Sequence, residues 1–386
     1  MAHTALLGLV YLSFISIGLP DGMLGVAWPA MRLQMDQPLA AVGAITMTMT
    51  ACSAAASLLA GSVVQRIGTG AVVAGSCLLT ALGLLGFAVA PSFGWLVALA
   101  IPLGVGAGAV DASLNHFVSA HYSSRHMNWL HGFWGVGATT GPLVMGAALA
   151  SEGGWTAGAR SIGLMQLGLA LVLFATVSLW SRETAQAPVD AEQTGQPAAD
   201  RKPPPLAMWL APLCFLFYVS AEMGTGLWAA SILVTDRGLS AGDASVWVSL
   251  YFGAITVGRF AVGLVANRVG NRRLVRLGIV VAMAGALLFA LPSLFGAFSP
   301  VGLVIMGLGC APIFPSLMHE TARRFQPEVV RQLIGWQMTC AYAGSSVVPA
   351  AFGLLATWAG LQTVMPVVVL LLLVLLLVTS RLDRLT

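Results

Sequence analysis

The sequence reads Met365-Pro-Val-Val-Val-Leu-Leu-Leu-Leu-Val-Leu-Leu-Leu-Val-Thr379 near its C-terminal end, a run without a charged residue. This run belongs to an apolar span over 361–380, and about twenty such residues are what an α-helix needs to cross a bilayer. A membrane β-strand would instead alternate apolar and polar residues over about ten positions. The run therefore predicts a membrane-spanning helix.

The composition of the whole chain has the same character. Its 386 residues are 58% hydrophobic and 8% charged, with a mean hydropathy of +0.88. A soluble domain carries about 25% charged residues, so this chain cannot present a water-soluble surface. Composition therefore excludes a soluble enzyme, a nucleic-acid-binding protein and a disordered scaffold, and it predicts an all-α integral membrane protein.

Twelve apolar spans are predicted, at about 4–31, 39–62, 70–90, 94–119, 127–150, 158–180, 207–234, 241–266, 273–293, 299–322, 330–357 and 361–380. The first span lacks the basic region and cleavage site of a secretory signal, so we expect it to be retained as a helix. Residues 181–206 contain five prolines and mixed charges, which predicts a flexible linker. The chain then divides into an N-terminal six-helix bundle over 1–180, the linker, and a C-terminal six-helix bundle over 207–386.

The basic residues are distributed unevenly between the two sides of the predicted membrane. With both termini cytoplasmic, that side holds Arg66, Arg125, Arg182, Arg201, Lys202, Arg268, Arg272, Arg273, Arg276, Arg323, Arg324, Arg331, Arg381 and Arg384. The opposite side holds Arg32, Arg160 and Arg237, and Arg259 lies within a span. Because Lys and Arg concentrate in cytoplasmic loops, we expect a multi-pass protein of the cell inner membrane with both termini in the cytoplasm.

The two halves of the sequence repeat each other. The matched residues are Gly61, Arg66 and Gly68 with Gly263, Arg268 and Gly270 (shift 202); Gly104, Gly106, Ser113, Leu114 and His116 with Gly307, Gly309, Ser316, Leu317 and His319 (shift 203); Trp129, Gly137, Pro142 and Gly146 with Trp336, Gly344, Pro349 and Gly353 (shift 207); and Asp21 and Gly25 with Glu222 and Gly226 (shift 201). Six spans repeated in one orientation predict two pseudo-symmetric bundles related by an axis along the membrane normal.

Two loops carry a repeated motif. The loop after the eighth span reads Gly263-Leu-Val-Ala-Asn267-Arg268-Val-Gly270-Asn-Arg272-Arg273, and the loop after the second reads Gly61-Ser-Val-Val-Gln65-Arg66-Ile-Gly68. With this motif the sequence resembles the major facilitator superfamily. The resemblance implies twelve helices in two six-helix bundles, with the glycines and arginines of both loops in gating. The family usually has Asp where Gln65 and Asn267 stand, so both loops depart from the family's acidic cytoplasmic latch.

Four further segments resemble the fucose permease-like branch of sugar–proton symporters within that superfamily. They are Gly18-Leu-Pro20-Asp21-Gly22, Gly106-Ala-Gly108-Ala-Val-Asp111-Ala-Ser-Leu-Asn115, Asn128-Trp129-Leu-His131-Gly132-Phe and Tyr218-Val-Ser-Ala-Glu222. In that branch, acids of the first and fourth helices take part in proton coupling and sugar binding. The resemblance implies these roles for Asp21 and Asp111.

The Asp, Glu, Lys and Arg residues well inside the spans are Asp21, Asp111, Glu222 and Arg259. A charge in hydrocarbon costs several kcal/mol, so such residues face a cavity or a partner. Asp21 follows Pro20, where we expect a break in the helix of the kind that transporters use for binding. We predict that the three acids couple protons and contact substrate. For Asp21 and Asp111 the alternative is a structural hydrogen bond, and for Glu222 it is a buried ion pair with Arg259.

Asp111 shares one face of its predicted helix with Gly104, Gly108 and Asn115. We expect the glycines to let another helix approach closely while Asp111 and Asn115 project into a cavity. This predicts a substrate contact for Asn115 as well as for Asp111.

Five further side chains are predicted to contact substrate: Asn128, His131, Trp228, Trp336 and Gln337. The amides and the imidazole can hydrogen-bond a hydroxyl, and an indole can stack on a ring. A histidine that only joins two helices, and tryptophans of the core or the membrane interface, are the alternatives. In the tenth span, Pro312 and Pro315 are expected to bend the helix.

No sequence feature points to an enzyme. The chain has no phosphate-binding Gly-Lys-Ser loop, no HExxH, no GxSxG in a strand–helix context, and its five cysteines lack metal-like spacing. We therefore expect no catalytic residue, no metal and no cofactor, with transport driven by the proton gradient. The expected partners are the lipid bilayer and a small-molecule substrate, not nucleic acid, and the protein is expected to be a monomer.

Three carboxyls against one arginine predict a neutral-to-negative cavity, which would bind organic anions poorly because these need an Arg or Lys clamp. We therefore predict a proton-coupled symporter of a neutral sugar or similar small polar solute, working by alternating access between two bundles. The alternative is a proton antiporter that exports cationic or lipophilic drugs, since the same acids and aromatic rings attract cations. A third possibility is a membrane sensor that binds solute without transporting it.

Overall fold

The computed structural model describes residues 2–122, 124–183 and 204–386. Within these ranges the side chains of residues 2–4, 119–120, 124–125, 128, 181–183, 265–267, 293, 295, 327–328 and 331 are not described. Most of the predicted linker, 181–206, lies outside the described residues. The predicted substrate contact of the Asn128 side chain lies outside them too.

The described residues fold into helices and contain no β-strand. The α-helices are α1 (Ala2–Gln34), α2 (Val42–Ile67), α3 (Thr69–Phe87), α4 (Phe93–His121), α5 (Ser124–Leu149), α6 (Gly154–Ala175), α7 (Val177–Glu183), α8 (Pro205–Ser231), α9 (Ala241–Val269), α10 (Asn271–Ala290), α11 (Pro292–Phe295), α12 (Val301–Cys310), α13 (Ile313–Arg324), α14 (Pro327–Ala359) and α15 (Val364–Leu385). Short 3₁₀ turns occur at Leu39–Ala41, Gly296–Phe298 and Leu361–Thr363, and a π turn occurs at Ile232–Asp236.

These helices confirm the predicted all-α membrane architecture. Eleven helical segments of the described chain are long and apolar enough to cross a bilayer. The α5 helix, with 26 residues, is also long enough but is less apolar. Together they account for all twelve predicted spans.

By their internal contacts the residues form two compact units. Unit 1 comprises the described residues of Met1–Glu192 and Gly238–Ser249, and unit 2 those of Gln193–Arg237 and Leu250–Thr386. Residues 238–249, which the sequence assigns to the second bundle, are in unit 1 by these contacts, and there the Ser249 hydroxyl donates to the Thr139 carbonyl at 2.8 Å. The predicted boundaries at 180 and 207 remain a prediction.

Matching helix crossings confirm the internal repeat. In unit 1, a Cβ added at Gly137 of α5 would collide with the Ile15 carbonyl of α1. In unit 2, a Cβ at Gly344 of α14 would collide with the Leu216 carbonyl of α8. The two glycines and the two carbonyls are related by the predicted shifts of 207 and 201. Both crossings therefore depend on the absence of a side chain at one equivalent position.

The two motif loops also have one backbone conformation. Gly68 joins α2 to α3 with φ 83°, and Gly270 joins α9 to α10 with φ 87°. This left-handed region favours glycine, which explains why the motif has glycine at both places. Arg66 and Arg268 are exposed two residues earlier in each loop. Their gating role remains a prediction.

The predicted bends have two different outcomes. The tenth span is interrupted as predicted, because α12 ends at Cys310 and α13 begins at Ile313, with Pro312 between them. The predicted break beside Asp21 is wrong, since α1 continues from Ala2 to Gln34 with Pro20 inside it. Proline removes one backbone donor, and the packing of a 33-residue helix tolerates that loss.

Candidate functional site

Asp21 interrupts the buried surface of α1. Every residue from Ser16 to Pro29 is described, and Asp21 is the one exposed side chain among them. The Trp134 indole Nε1 of α5 donates a hydrogen bond to Asp21 Oδ2 at 2.9 Å. Asp21 is therefore an accessible carboxyl held by a neutral donor from a neighbouring helix.

Small residues allow that hydrogen bond to form. On α1, a Cβ at Gly18 or Gly22 would collide with the α5 backbone, and on α5 a Cβ at Gly137 or Gly141 would collide with the α1 backbone. Two glycines four residues apart on each helix let the two backbones approach closely. Asp21 lies beside Gly22, which places its carboxyl within reach of the facing helix.

Asp111 is half-buried on α4 and accepts a bond from its own helix. The Asn115 side-chain Nδ2 lies 3.0 Å from Asp111 Oδ1 and 2.9 Å from the Asp111 carbonyl oxygen. The predicted close approach of another helix is confirmed, because a Cβ at Gly104 or Gly108 would collide with the backbone of α2. Asp111 and Asn115 thus form one pair of polar groups on α4.

Neither Asp21 nor Asp111 has a cationic partner among the described residues. The ion pairs of the described chain, with nitrogen and oxygen within 4.0 Å, involve neither Asp21 nor Asp111. Both carboxyls receive hydrogen bonds from neutral N–H groups instead.

Glu222 has a different environment in unit 2. Arg259 Nη2 lies 3.0 Å from Glu222 Oε1, with side-chain exposures of 16% and 2%. The Tyr251 hydroxyl donates to the Glu222 carbonyl at 2.9 Å. Glu222 therefore has the arrangement given as its alternative, a buried ion pair, because a carboxylate removed from water needs a cation beside it. Its predicted roles in proton coupling and substrate contact remain predictions.

Two predicted substrate contacts point into the protein. Trp228 is fully buried, and its Nε1 donates to the Pro349 carbonyl at 2.8 Å. Gln337 is 1% exposed, and its Nε2 donates to the Thr321 hydroxyl at 2.8 Å. In this structure both side chains are buried and bonded to protein atoms, and their predicted substrate contacts remain predictions.

Two other predicted contacts are accessible. His131 is exposed on α5 and meets the Phe14 ring edge-on, with ring centres 5.7 Å apart. Trp336 is 39% exposed and packs against Trp209 at 4.9 Å. His131 lies one turn before Trp134, so the polar groups of α5 and Asp21 occupy one region of unit 1.

The sequence interpretation missed the partners of three residues: two of these residues hold acids in place, and the third bonds the backbone at the interrupted tenth span. Trp134 is the donor to Asp21, and its spacing of three residues from His131 was the available signal. Tyr251 bonds the backbone at Glu222, and the Tyr218 hydroxyl donates to the Cys310 carbonyl at 3.0 Å, where the tenth span is interrupted. Across the described residues, no group of three or more His, Cys, Asp or Glu side chains is arranged to hold a metal ion.

Solved structures resemble this fold over nearly the whole chain. A bacterial homolog of the human lysosomal transporter Spinster, inward-facing and occupied, gives a TM-score of 0.76 at 14% identity, covering 100% of this chain and 97% of that one. Its unoccupied form gives 0.78 at 14% identity, covering 99% and 97%. A mutant of the nucleoside transporter NupG gives 0.74 at 15% identity, covering 97% and 98%. At these identities the likeness concerns the fold.

Sequence comparisons identify the family. Residues 10–299 and 210–385 match the family model of the Major Facilitator Superfamily. An uncharacterized MFS-type transporter of Yersinia pestis is 28% identical over 166 residues, which span 42% of this chain and 42% of that protein. The chain belongs to the Major Facilitator Superfamily and is a multi-pass membrane protein of this transporter family.

Proposed function

We propose that the protein is a proton-coupled symporter that takes up a neutral sugar or a similar small polar solute. The observation that carries this proposal is the contrast between the acids. Asp21 and Asp111 accept bonds from neutral donors, whereas Glu222 is paired with Arg259. A carboxyl without a cation beside it gains and loses a proton without breaking an ion pair, so Asp21 and Asp111 are the proposed proton-coupling groups.

The same side chains support a neutral solute. Unit 1 offers the carboxyls of Asp21 and Asp111, the Asn115 amide and the His131 imidazole, which together accept and donate hydrogen bonds to hydroxyl groups. Organic anions would need a clamp of Arg or Lys. Arg259, the arginine within the spans, is already engaged by Glu222.

Three further properties complete the proposal. The Lys and Arg distribution supports an inner-membrane protein with both termini in the cytoplasm. The resemblance of four segments to the fucose permease-like branch supports uptake of a sugar. We propose a monomer that alternates access between its two bundles and uses the proton gradient without a cofactor.

One observation favours a second candidate, a proton antiporter that exports a cation. Trp209 and Trp336 are both exposed and pack against each other in unit 2, and aromatic faces attract organic cations. The acids of unit 1 would serve either direction of transport. The two candidates differ in the solute that moves protons.

The test is the external pH of a lightly buffered, anaerobic suspension of expressing cells, pulsed in turn with hexoses, pentoses and polyols. We expect alkalinisation with one solute and loss of the signal in Asp21→Asn. Asp36→Asn removes a carboxylate just beyond the end of α1 and is the matched control, which should keep the signal. Silence across the panel, in cells shown to contain folded protein, would overturn symport and favour the exporter, next tested with cationic drugs.

A further inference from the structure

Unit 2 contains an arginine-lined cleft at the turn between α9 and α10. The cleft encloses about 500 Å³, and its lining includes Gly270, Asn271, Arg272, Arg273, Glu320 and Arg323. These residues are separate from the acids of unit 1 and from the Glu222–Arg259 pair. The proposed proton coupling and substrate binding therefore do not use the cleft, although Gly270 and Arg272 belong to the motif loop predicted to act in gating.

Two carboxylates at this cleft are nearly buried and already paired. Glu320, 7% exposed, lies 3.0 Å from Arg272 Nε and 3.5 Å from Arg324 Nε. Asp383, 6% exposed, lies 2.5 Å from Arg276 Nη2 and from Arg324 Nη2. These pairs hold Arg272, Arg276 and Arg324 in place beside the cleft and engage both carboxylates.

Positive charge remains in excess at the cleft. Arg273 is exposed and forms no ion pair with the described residues, and Arg323, 52% exposed, lies 3.8 Å from Glu320. Among the described side chains here, five arginines (Arg272, Arg273, Arg276, Arg323 and Arg324) outnumber the two carboxylates of Glu320 and Asp383. In addition, α10 begins after Gly270, which offers no side-chain cap, so its first backbone N–H groups add partial positive charge.

The surroundings place the cleft at the boundary between lipid and water. Leu264 of α9 is 82% exposed and Leu277 of α10 is 58% exposed, one on each side of the turn. Large apolar side chains exposed on a membrane protein face lipid tails, whereas exposed arginines face the head groups or water. The phosphate groups of lipids lie at this level, and basic pockets between membrane helices bind them.

The six-helix bundle does not need these charges for its fold. In unit 1, Gly70, Ala71 and Phe117 stand where Arg272, Arg273 and Glu320 stand in unit 2, at shifts of 202 and 203. The equivalent end of unit 1 packs around Gly70, against which the Trp180 ring lies. The same helix packing therefore forms in unit 1 with apolar side chains, and the charged cleft is a feature that unit 2 has in addition.

We propose that this cleft binds a phosphate group, with Arg273 and Arg323 donating to its oxygens beside Arg272. A guanidinium matches phosphate oxygens with two parallel N–H bonds, and the excess charge would compensate the anion. The group comes either from a phospholipid head group, which the lipid-facing leucines favour, or from free phosphate.

The experiment uses the purified full chain in detergent and a fluorescently labelled phosphatidylglycerol, whose binding is followed by fluorescence anisotropy. We expect Arg273→Gln and Arg323→Gln each to weaken binding about tenfold or more, equivalent to about 1.4 kcal/mol. Arg66→Gln removes the same charge from the equivalent loop of unit 1 and should leave binding unchanged. Unchanged binding in both cleft variants, or an equal loss in Arg66→Gln, would overturn the proposal.

Two competitors identify the source of the phosphate group. Displacement of the labelled lipid by inorganic phosphate would assign a soluble source, and displacement only by unlabelled phosphatidylglycerol would assign the lipid. A diacylglycerol with the same label, which lacks phosphate, should bind the wild-type protein much more weakly. Equal binding of that probe would disprove a phosphate site, and this comparison stands even if a variant fails to fold.

Discussion

Asp21 and Glu222 occupy equivalent positions, 201 residues apart, yet the two units treat them differently. Asp21 is exposed and bonded by the neutral Trp134 indole, whereas Glu222 is buried and paired with Arg259. Both halves of the repeat therefore have a carboxyl at this position, but only the carboxyl of unit 2 is paired with a cation. Under the proposed function we infer a division of labour, in which the carboxyls of unit 1 exchange protons and the carboxylate of unit 2 holds helices together.

The same contrast recurs at the ends of the units near the motif loops. The equivalent positions are Gly70 and Arg272, at a shift of 202, and Phe117 and Glu320 and His121 and Arg324, at a shift of 203. In unit 1 the rings of Phe117 and Trp180 lie 5.2 Å apart, and in unit 2 buried carboxylates bind arginines instead. The helix ends near the motif loop are thus stabilised by apolar packing in unit 1 and by ion pairs in unit 2.

Replacing Asp111 by asparagine should have the largest effect on transport. Asparagine keeps an oxygen that can accept the Asn115 bond but cannot carry a proton, so we expect complete loss of proton-driven accumulation with normal folding. Accumulation and exchange are measured in the same membrane vesicles, and exchange of internal for external substrate should persist. Unchanged accumulation in Asp111→Asn would remove the proposed role of Asp111.

Replacing Glu222 by glutamine should have the opposite signature. The Arg259 guanidinium would be left as a largely buried, uncompensated charge, which costs about 3–5 kcal/mol. We expect a large fall in the thermal unfolding midpoint of the purified protein, and Arg259→Gln should also lower stability more than substrate affinity. A stable Glu222→Gln protein that no longer couples protons would contradict the division between the units.

A double variant tests whether the pair itself matters. Glu222→Gln combined with Arg259→Gln removes both charges, so it should recover much of the stability lost by either single change. Additive losses would instead mean that each side chain acts through other contacts.

The tryptophans of the two units offer a further comparison. Trp134→Phe keeps the ring but removes the bond to Asp21, and because Asp21 is exposed, water can replace the lost donor. We expect transport to fall about tenfold with little change in stability. Trp228→Phe removes the bond to the buried Pro349 carbonyl and should lower stability by about 1 kcal/mol. Uptake and melting curves are measured for both variants. Identical effects in the two variants would contradict the different roles given to Trp134 and Trp228.

The helices and the repeat could be predicted because the sequence shows directly the length of each apolar run and the spacing between matched residues. Bilayer thickness sets the length of each apolar run, so all twelve spans were predicted from hydropathy. The matched shifts correctly indicated the crossings at Gly137 and Gly344. The break predicted at Asp21 was wrong because a proline does not interrupt a helix that its neighbours pack tightly.

The partners of the polar side chains could not be predicted in the same way. A membrane helix is apolar on its lipid-facing and core-facing sides alike, so periodicity does not show which way Trp228 or Gln337 points. Asp21 meets Trp134 across 113 residues, and Glu222 meets Arg259 across 37. Such contacts depend on the rotation and tilt of packed helices, which the sequence does not state.

Substitution of the glycines at the two helix crossings tests the repeat most directly. In Gly344→Ala the new methyl group would lie 2.7 Å from the Leu216 carbonyl oxygen, and overpacking of this kind costs about 1–3 kcal/mol. Gly137→Ala, the equivalent change in unit 1, should lower the melting midpoint similarly. Gly168→Ala adds the same methyl group where nothing lies within 4 Å, so it should leave stability unchanged or raise it by up to about 1 kcal/mol. If Gly344→Ala and Gly168→Ala melt alike, close approach of the helices is not what the glycine provides, and the equivalence of the two crossings would lose its physical basis.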